Sequence, residues 1–446
     1  MPRPRLLSLL IPLLLVLPFT AWKTRNASHP DLHGKYSVTE LRQDLDQMVA
    51  IIKKNHPSLY DFNSETNFNA LVKQAQDAIT DSMELIPFYK IISPIVTSIG
   101  CGHTQLWLPG WLWQDSALPV LPVRLFFERD KTYILNNYGS NKNLQPGAEV
   151  IAINGHPIAE IRKQMEGFIF TDGNNMAARR DYMNTSFSSP LVGMSFNFPS
   201  SYQIRLKSAM TGSGTEDFVV QPMTLPKYNE AQPQMKSKLR FEWDAAGHTG
   251  IIRIGSFVYY DRVDFFKKFL DSCFLQLKLR KSDQLIIDLR GNDGGDPFCS
   301  SYVLAYLSEK PVSYFAKSYD GYDNLAKPIP LATNHFTGKV YILTDGYCFS
   351  STGHLCALLR YHHLGHFIGT QTDGTYTCND NAEVVSLNKT GLMIRIPRDR
   401  FDAAVQGIPR FIGISPDELI EPDIESALAG KDTVMNFAIN KANNTP

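Results

Sequence analysis

Two adjacent serines, Ser350 and Ser351, stand where a buried β run (Val340 to Leu343) gives way to a helical pattern carried by Leu355, Leu358 and Leu359. A hydroxyl at a strand-to-helix turn is held by backbone rather than by a loose loop. It also lies near the positive end of the helix, where a developing oxyanion is favoured. The Ser351 amide, like any first-turn amide, has no helical acceptor and is free to donate to such an oxyanion. The same two serines also read as helix caps, the commonest role for serine at a helix start. The stretch is not G-x-S-x-G, so the nucleophile-elbow rule does not decide between cap and nucleophile.

Three other stretches carry chemistry-bearing residues. In "LIIDLRGNDGGD" a buried strand runs into Gly294 and Gly295. Paired glycines let the backbone approach a ligand closely and present N–H groups, and they equally make a tight turn. The stretch lacks G-K-[ST] and has the wrong acidic spacing for a calcium loop. In "SIGCGHTQLWLP" His103 sits in a short polar break between apolar runs. A lone histidine is usually a surface or satisfied core residue; as a base it would have to reach a nucleophile far away in sequence. In "HHLGH", His362 and His366 have the i, i+4 spacing of two helical metal ligands. The glutamate of H-E-x-x-H is missing and Gly365 marks a helix end, so neither a metal nor an organic cofactor is expected.

The elements that must position these residues divide the chain into three. Residues 35–110 read as a helical lobe carrying His103. "TELRQDLDQMVAIIKKNHPSLY" puts Leu41, Leu45, Met48, Ile51 and Ile52 on one face, and Pro57 stops the helix. Residues 117–226 turn to short β runs, with Pro146-Gly147 and Asn154-Gly155 as turns and a helix from Ile158 to Met165. From 238 to 441 strands alternate with helices, which argues an α/β layered unit. A chain of 446 residues with a hydrophobic fraction of 43% has material for two or three cores.

Lys+Arg and Asp+Glu are equal at 44 each, so nothing in the charge balance argues for nucleic acid or an anionic membrane surface. Residues 1–27 place two arginines before an apolar run from Leu6 to about Ala21, the pattern of an export signal or an N-terminal anchor. The body of the protein is then expected outside the cytoplasm, whether periplasmic, extracellular or membrane-anchored. Six cysteines in such a chain are free to pair, yet their spacing implies neither a disulfide framework nor zinc.

Each signal is weak alone, but their order is not. "DLRGNDGG", "TDGYCFSSTGHLCALL", "FIGTQTDGTY" and "GISPDELIEPD" in succession resemble the protease domain of the C-terminal processing (tail-specific) peptidases. "CGHT" is similar to that family's D-G-H-T, with Cys101 in place of the acid, and "LQPGAEVIAING" resembles its PDZ-like segment. The resemblance implies a multidomain α/β fold: helical lobe, PDZ-like β-rich domain and crotonase/ClpP-like protease domain. It implies Ser350 as nucleophile and an oxyanion hole from Ser351, Gly294 and Gly295. Where many members carry a catalytic lysine this chain has Thr375, which points to the tricorn-core-like branch, with His103 as general base. The orienting glutamate of that branch is replaced by Arg410, leaving Asp399 or Asp402 as candidate substitutes, and Gly353 stands where an acid usually follows the nucleophile. The expected activity is an exported serine endopeptidase acting through an acyl-enzyme, its peptide or protein substrate docking at a sheet edge, in one form by its C-terminus. The alternative is a non-catalytic peptide- or lipid-binding protein on the same fold, since the family includes a retinoid-binding relative.

Overall fold

A computed structural model describes residues 32–208, 214–233 and 237–444. The expected export segment lies outside them. Among the described residues no helix is long and apolar enough to cross a membrane.

The N-terminal lobe holds the helices Val38–Asn55, Glu65–Ala78 and Leu85–Thr97. The first starts on a capping box, Ser37 with Glu40, and ends at His56 just before Pro57. It buries Leu41, Leu45, Met48 and Ile52 on one face, the period-3.6 stripe expected of it.

The middle segment holds a hairpin, Val123–Glu128 with Lys131–Asn137. It also holds a small antiparallel sheet in the order Thr215–Val220, Tyr202–Lys207, Val150–Ile153, His156–Pro157. Asn154 and Gly155 both take positive φ in the tight turn between the last two strands, the conformation that Asn-Gly adopts most readily. Two helices here, the half-buried Met176–Met183 and the buried Ser188–Ser195, add to the β runs and the one helix expected of this segment. The second is buried on all sides, so it has no amphipathic period to betray it.

A six-stranded sheet forms the third part. Its order is Leu239–Trp243, Thr249–Ile254, Gln284–Asp288, Lys339–Thr344, His366–Gly369, Glu418–Leu419; only the first pair is antiparallel. Ile252, Ile287, Ile342 and Phe367 stand side by side across four strands, all fully buried. They face a layer of three helices, Val263–Arg280, Pro297–Leu307 and Ser351–Tyr361. The opposite row, with Ile251, Ile286 and Tyr341, packs under Val434, Ala438 and Ala442 of the helix Thr433–Asn444. Asp417 ties the serine-bearing helix to the sheet, accepting from Arg360 at 2.6 Å and from the Phe367 amide at 2.8 Å.

The segment 238–441 is not self-contained. Its strands Glu383–Ser386 and Met393–Ile396 stand apart from the six-stranded sheet as a hairpin, and Met393–Ile396 pairs in turn with Gln105–Trp107 of the N-terminal lobe. Leu387, Leu392, Ile394 and Ile396 accordingly join the core shared by the lobe and the middle segment. The turn between these strands is pinned by Asp44, a fully buried carboxylate of the first helix. It accepts from the Lys389 amide (3.0 Å), the Thr390 amide (2.7 Å) and the Thr390 hydroxyl (2.7 Å). Removing it strands those donors away from water. Asp44→Ala is therefore expected to cost about 2–4 kcal/mol in urea unfolding, with Asp44→Asn losing less; an Ala variant as stable as wild type would contradict this account of the joint.

Candidate active site

In open parallel sheets, ligands gather beyond the carboxyl ends of the strands. Three such ends meet here: the turns after Asp288, Thr344 and Gly369. The first two are laced together. Asp345 accepts from the Gly291 amide at 3.0 Å, Cys348 Sγ donates to the Leu289 carbonyl at 3.3 Å, and the Phe349 amide donates to the Asn292 carbonyl at 3.2 Å. The third turn joins through the Gly374 amide, which donates to the Cys348 carbonyl at 2.9 Å.

Ser350 sits at the head of the helix Ser351–Tyr361 with φ 56° and ψ −127°. A non-glycine residue in that region carries strain of about 1–3 kcal/mol. Its side chain makes no capping hydrogen bond, and the Ser351 hydroxyl is buried without a partner, so neither serine caps the helix. The Ser351 and Gly295 amides have no acceptor among the described residues. Gly294 differs from the expectation for it: its amide already donates to Asn292 Oδ1 at 3.0 Å. A Cβ on Gly294 would lie 2.7 Å from Ser350 Cβ, so this glycine makes room for the serine turn rather than adding a free donor.

His103 reaches the turn from the N-terminal lobe. The strand that follows it pairs Gln105 with Arg395, and Arg395 donates to the His103 carbonyl at 2.7 Å and to Asp380 Oδ1 at 2.8 Å. The imidazole stacks on Phe349 with ring centroids 4.4 Å apart. A Cβ on Gly102 would come within 2.7 Å of that same ring, so only glycine lets the loop lie so close. Burial pushes the imidazole down, to about 3, while Asp380 opposes and Arg395 and His354 add to the fall. His103 is thus neutral at ordinary pH, the form that accepts a proton.

The carboxylate beside His103 is Asp380, with Oδ2 3.7 Å from Nε2. Burial pushes its carboxyl up, but His103 and Arg395 outweigh this and hold it below the usual range. Asp399 and Asp402 lie one strand over, on Asp399–Asp402, which pairs antiparallel with Thr377–Asp380. Asp399 is engaged by Asn381, and Asp402 pairs with Arg400 at 2.9 Å and faces His354. The structure thus places Asp380, rather than Asp399 or Asp402, beside the His103 ring.

No hydrogen bond joins Ser350 directly to His103 among the described residues. Cys378 lies between them, its Sγ 3.7 Å from Ser350 Oγ and 3.6 and 3.8 Å from the two ring nitrogens. Ser350, His103 and Cys378 are all at most 5% exposed. Sequence reasoning missed both Cys378 and Asp380. The signal was present, since residues two apart on a strand share a face, and "TCND" sets a thiol and an acid at that spacing.

Residues 248–420 match the model of peptidase family S41. Over that segment, which is less than half of the chain, the sequence is similar to that family. An S41 domain over that segment supports a serine-type peptidase. The fold agrees over nearly the whole length. The structure of mature CPAF complexed with lactacystin matches with a TM-score of 0.63 at 12% identity, over 91% of this chain and 98% of that one. Mature CPAF alone matches at 0.61 and 12%, over 91% and 96%. The photosystem II D1 C-terminal processing protease matches at 0.42 and 15%, over 89% and 98%. No curated protein matches this chain in sequence.

Three departures from the S41 pattern have visible structural uses. Thr375 is buried and donates to the Thr377 carbonyl at 3.1 Å, shaping the approach to the Cys378 strand. Arg410 bonds Asp61 of the N-terminal lobe at 2.8 Å and so helps hold the lobe down. Gly353 lies so near Gly374 that a Cβ would come within 2.7 Å of its backbone, which leaves no room for an acid.

Two measurements check this account. Ser350→Gly is expected to be more stable than Ser350→Ala by about 1 kcal/mol, because glycine adopts the turn without strain; equal melting temperatures would deny it. The second concerns Asp345, whose carboxyl burial, with Asp181 next, pushes up to about 7. An acid raised in the folded state contributes fully below its unfolded value of about 4 and loses that contribution as pH rises through the folded value. Stability should therefore fall between these limits, and Asp345→Asn should flatten the slope. A slope unchanged in the variant would assign it elsewhere.

Proposed function

We propose that this S41 protein is an exported serine endopeptidase that hydrolyses peptide bonds through an acyl-enzyme on Ser350. The observation that carries the reading is the convergence on one buried point of a strained, uncapped serine, two unengaged amides and a neutral imidazole backed by a carboxylate. Ser350 Oγ attacks the scissile carbonyl. The amides of Ser351 and Gly295 take the charge that forms on its oxygen, where a dry site strengthens each bond. His103 receives the serine proton and later gives it to the leaving amine. Asp380 orients the ring and stabilises the imidazolium, and Arg395 holds Asp380.

The middle segment supports a peptide-docking role. Its four-stranded sheet ends on the strand Thr215–Val220, which has no further strand beside it among the described residues and offers an edge to an extended peptide, in keeping with the PDZ-like reading of that region. Export rests on the charged and apolar pattern of residues 1–27.

A fluorophosphonate probe tests the core of this proposal. Wild type is expected to label, and Ser350→Ala not at all. His103→Ala should lower the labelling rate by about 10²–10⁴-fold, and Asp380→Asn by a smaller factor. Folded wild type that takes no probe would sink the enzyme reading in favour of a binding protein on the same fold.

A further inference from the structure

The proposed base and nucleophile do not touch; a thiol does the touching. We propose that Cys378 relays the Ser350 proton to His103. This rests on the serine-peptidase reading above and adds to it a residue that the S41 pattern does not assign.

Three observations carry the inference. Cys378 Sγ is within sulfur hydrogen-bond reach of Ser350 Oγ (3.7 Å) and of His103 Nδ1 (3.6 Å). A thiol both donates and accepts, so it can hold both partners at once. Second, His103 Nε2 faces Asp380, at 3.7 Å. The tautomer with its proton on Nε2 satisfies the carboxylate and leaves the Nδ1 lone pair toward sulfur. Third, every member of the chain is pinned. Cys378 pairs with Phe401 across a ladder, His103 is stacked on Phe349, and Asp380 is two residues along the Cys378 strand on the same face. Burial keeps the thiol protonated at rest, as a relay requires.

The step balances without any further reactant. As Ser350 Oγ bonds to the carbonyl carbon, the carbonyl π pair moves onto oxygen. The hydroxyl proton passes to Cys378 Sγ while the thiol's own proton passes to His103 Nδ1. Sulfur begins and ends as a thiol. When the intermediate collapses, the C–N bond breaks and the imidazolium proton leaves with the amine; water then repeats the cycle to free Ser350. Ser350 rather than Cys378 takes the carbonyl carbon because Ser350 stands beside the unengaged Ser351 amide, whereas Cys378 lies mid-strand.

The test uses the full chain with Cys378→Ala, Cys378→Val and Cys378→Ser, and a fluorophosphonate as the probe. A relay needs a group that donates and accepts; a packing residue needs only volume. The expected order of kinact is wild type, then Ser, then Val and Ala together. The alanine variant should fall at least about 100-fold, with KI changed less than two-fold. The wild-type rate in mixtures of light and heavy water should bow, two protons moving together, and that of Cys378→Ala should be linear. A Val variant that labels as fast as the Ser variant, or an Ala variant at the wild-type rate, overturns the relay while leaving Ser350 as nucleophile. Labelling that survives Ser350→Ala but vanishes in Cys378→Ala makes the sulfur itself the nucleophile and overturns it too. Failure of folded wild type to label removes the serine reading and the relay with it.

Discussion

One strand pairing carries the site. Gln105–Trp107 and Met393–Ile396 lie nearly three hundred residues apart in the chain, yet their register sets Gln105 opposite Arg395. That single pair fixes where the residue two before Gln105 must stand, and Arg395 then holds both the His103 carbonyl and the Asp380 carboxylate. The hydrophobic row of Leu106, Ile394 and Ile396 gives the pairing its energy, since all three are buried in the lobe's core. A slip of one residue would turn every side chain on the strand to the other face and carry the imidazole away from the serine turn. The lobe is thus part of the site rather than an appendage to it.

Burial and reactivity pull against each other here. A dry pocket strengthens the bonds that hold a transition-state charge, but it also makes the resting charges costly. Burial pushes His103 down and Cys378 up, away from their charged forms, while His103 and Arg395 hold the Asp380 carboxyl below its usual range against the same burial. The stored strain at Ser350 belongs to the same economy. It is tolerated because the neighbouring turns are cross-laced at Asp345, Asn292 and Cys348.

Much of this was legible in the sequence, and the rest was not for a definite reason. The strand, turn and helix around Ser350, the glycine turn, the histidine break and the amphipathic first helix are local patterns, and local patterns can be read in order along a chain. Asp380 and Cys378 are defined by what they face. Cys378 and His103 are 275 residues apart, and only the ladder between lobe and sheet brings them together. Asp399 and Asp402 were plausible from sequence because they lie on the neighbouring strand; one ladder step separates Asp399 from Asp380. The helix Ser188–Ser195 was hidden for another reason, since an element buried all round has no period to show.

The departures from the family pattern form one connected change rather than scattered losses. An acid at position 353 would need space that Gly374 fills, and the close contact of Gly353 with Gly374 is what sets the loop leading to Thr375. With threonine there, its hydroxyl bonds the Thr377 carbonyl and helps start the strand that presents Cys378 and Asp380. With an acid gone from position 410, Arg410 turns to Asp61 and serves lobe docking instead. The carboxylate beside His103 is then Asp380, whose partner Arg395 sits on the strand that docks the lobe. The Asp380 carboxylate and the docked lobe therefore draw on the same guanidinium, so His103 is in place only when the lobe is.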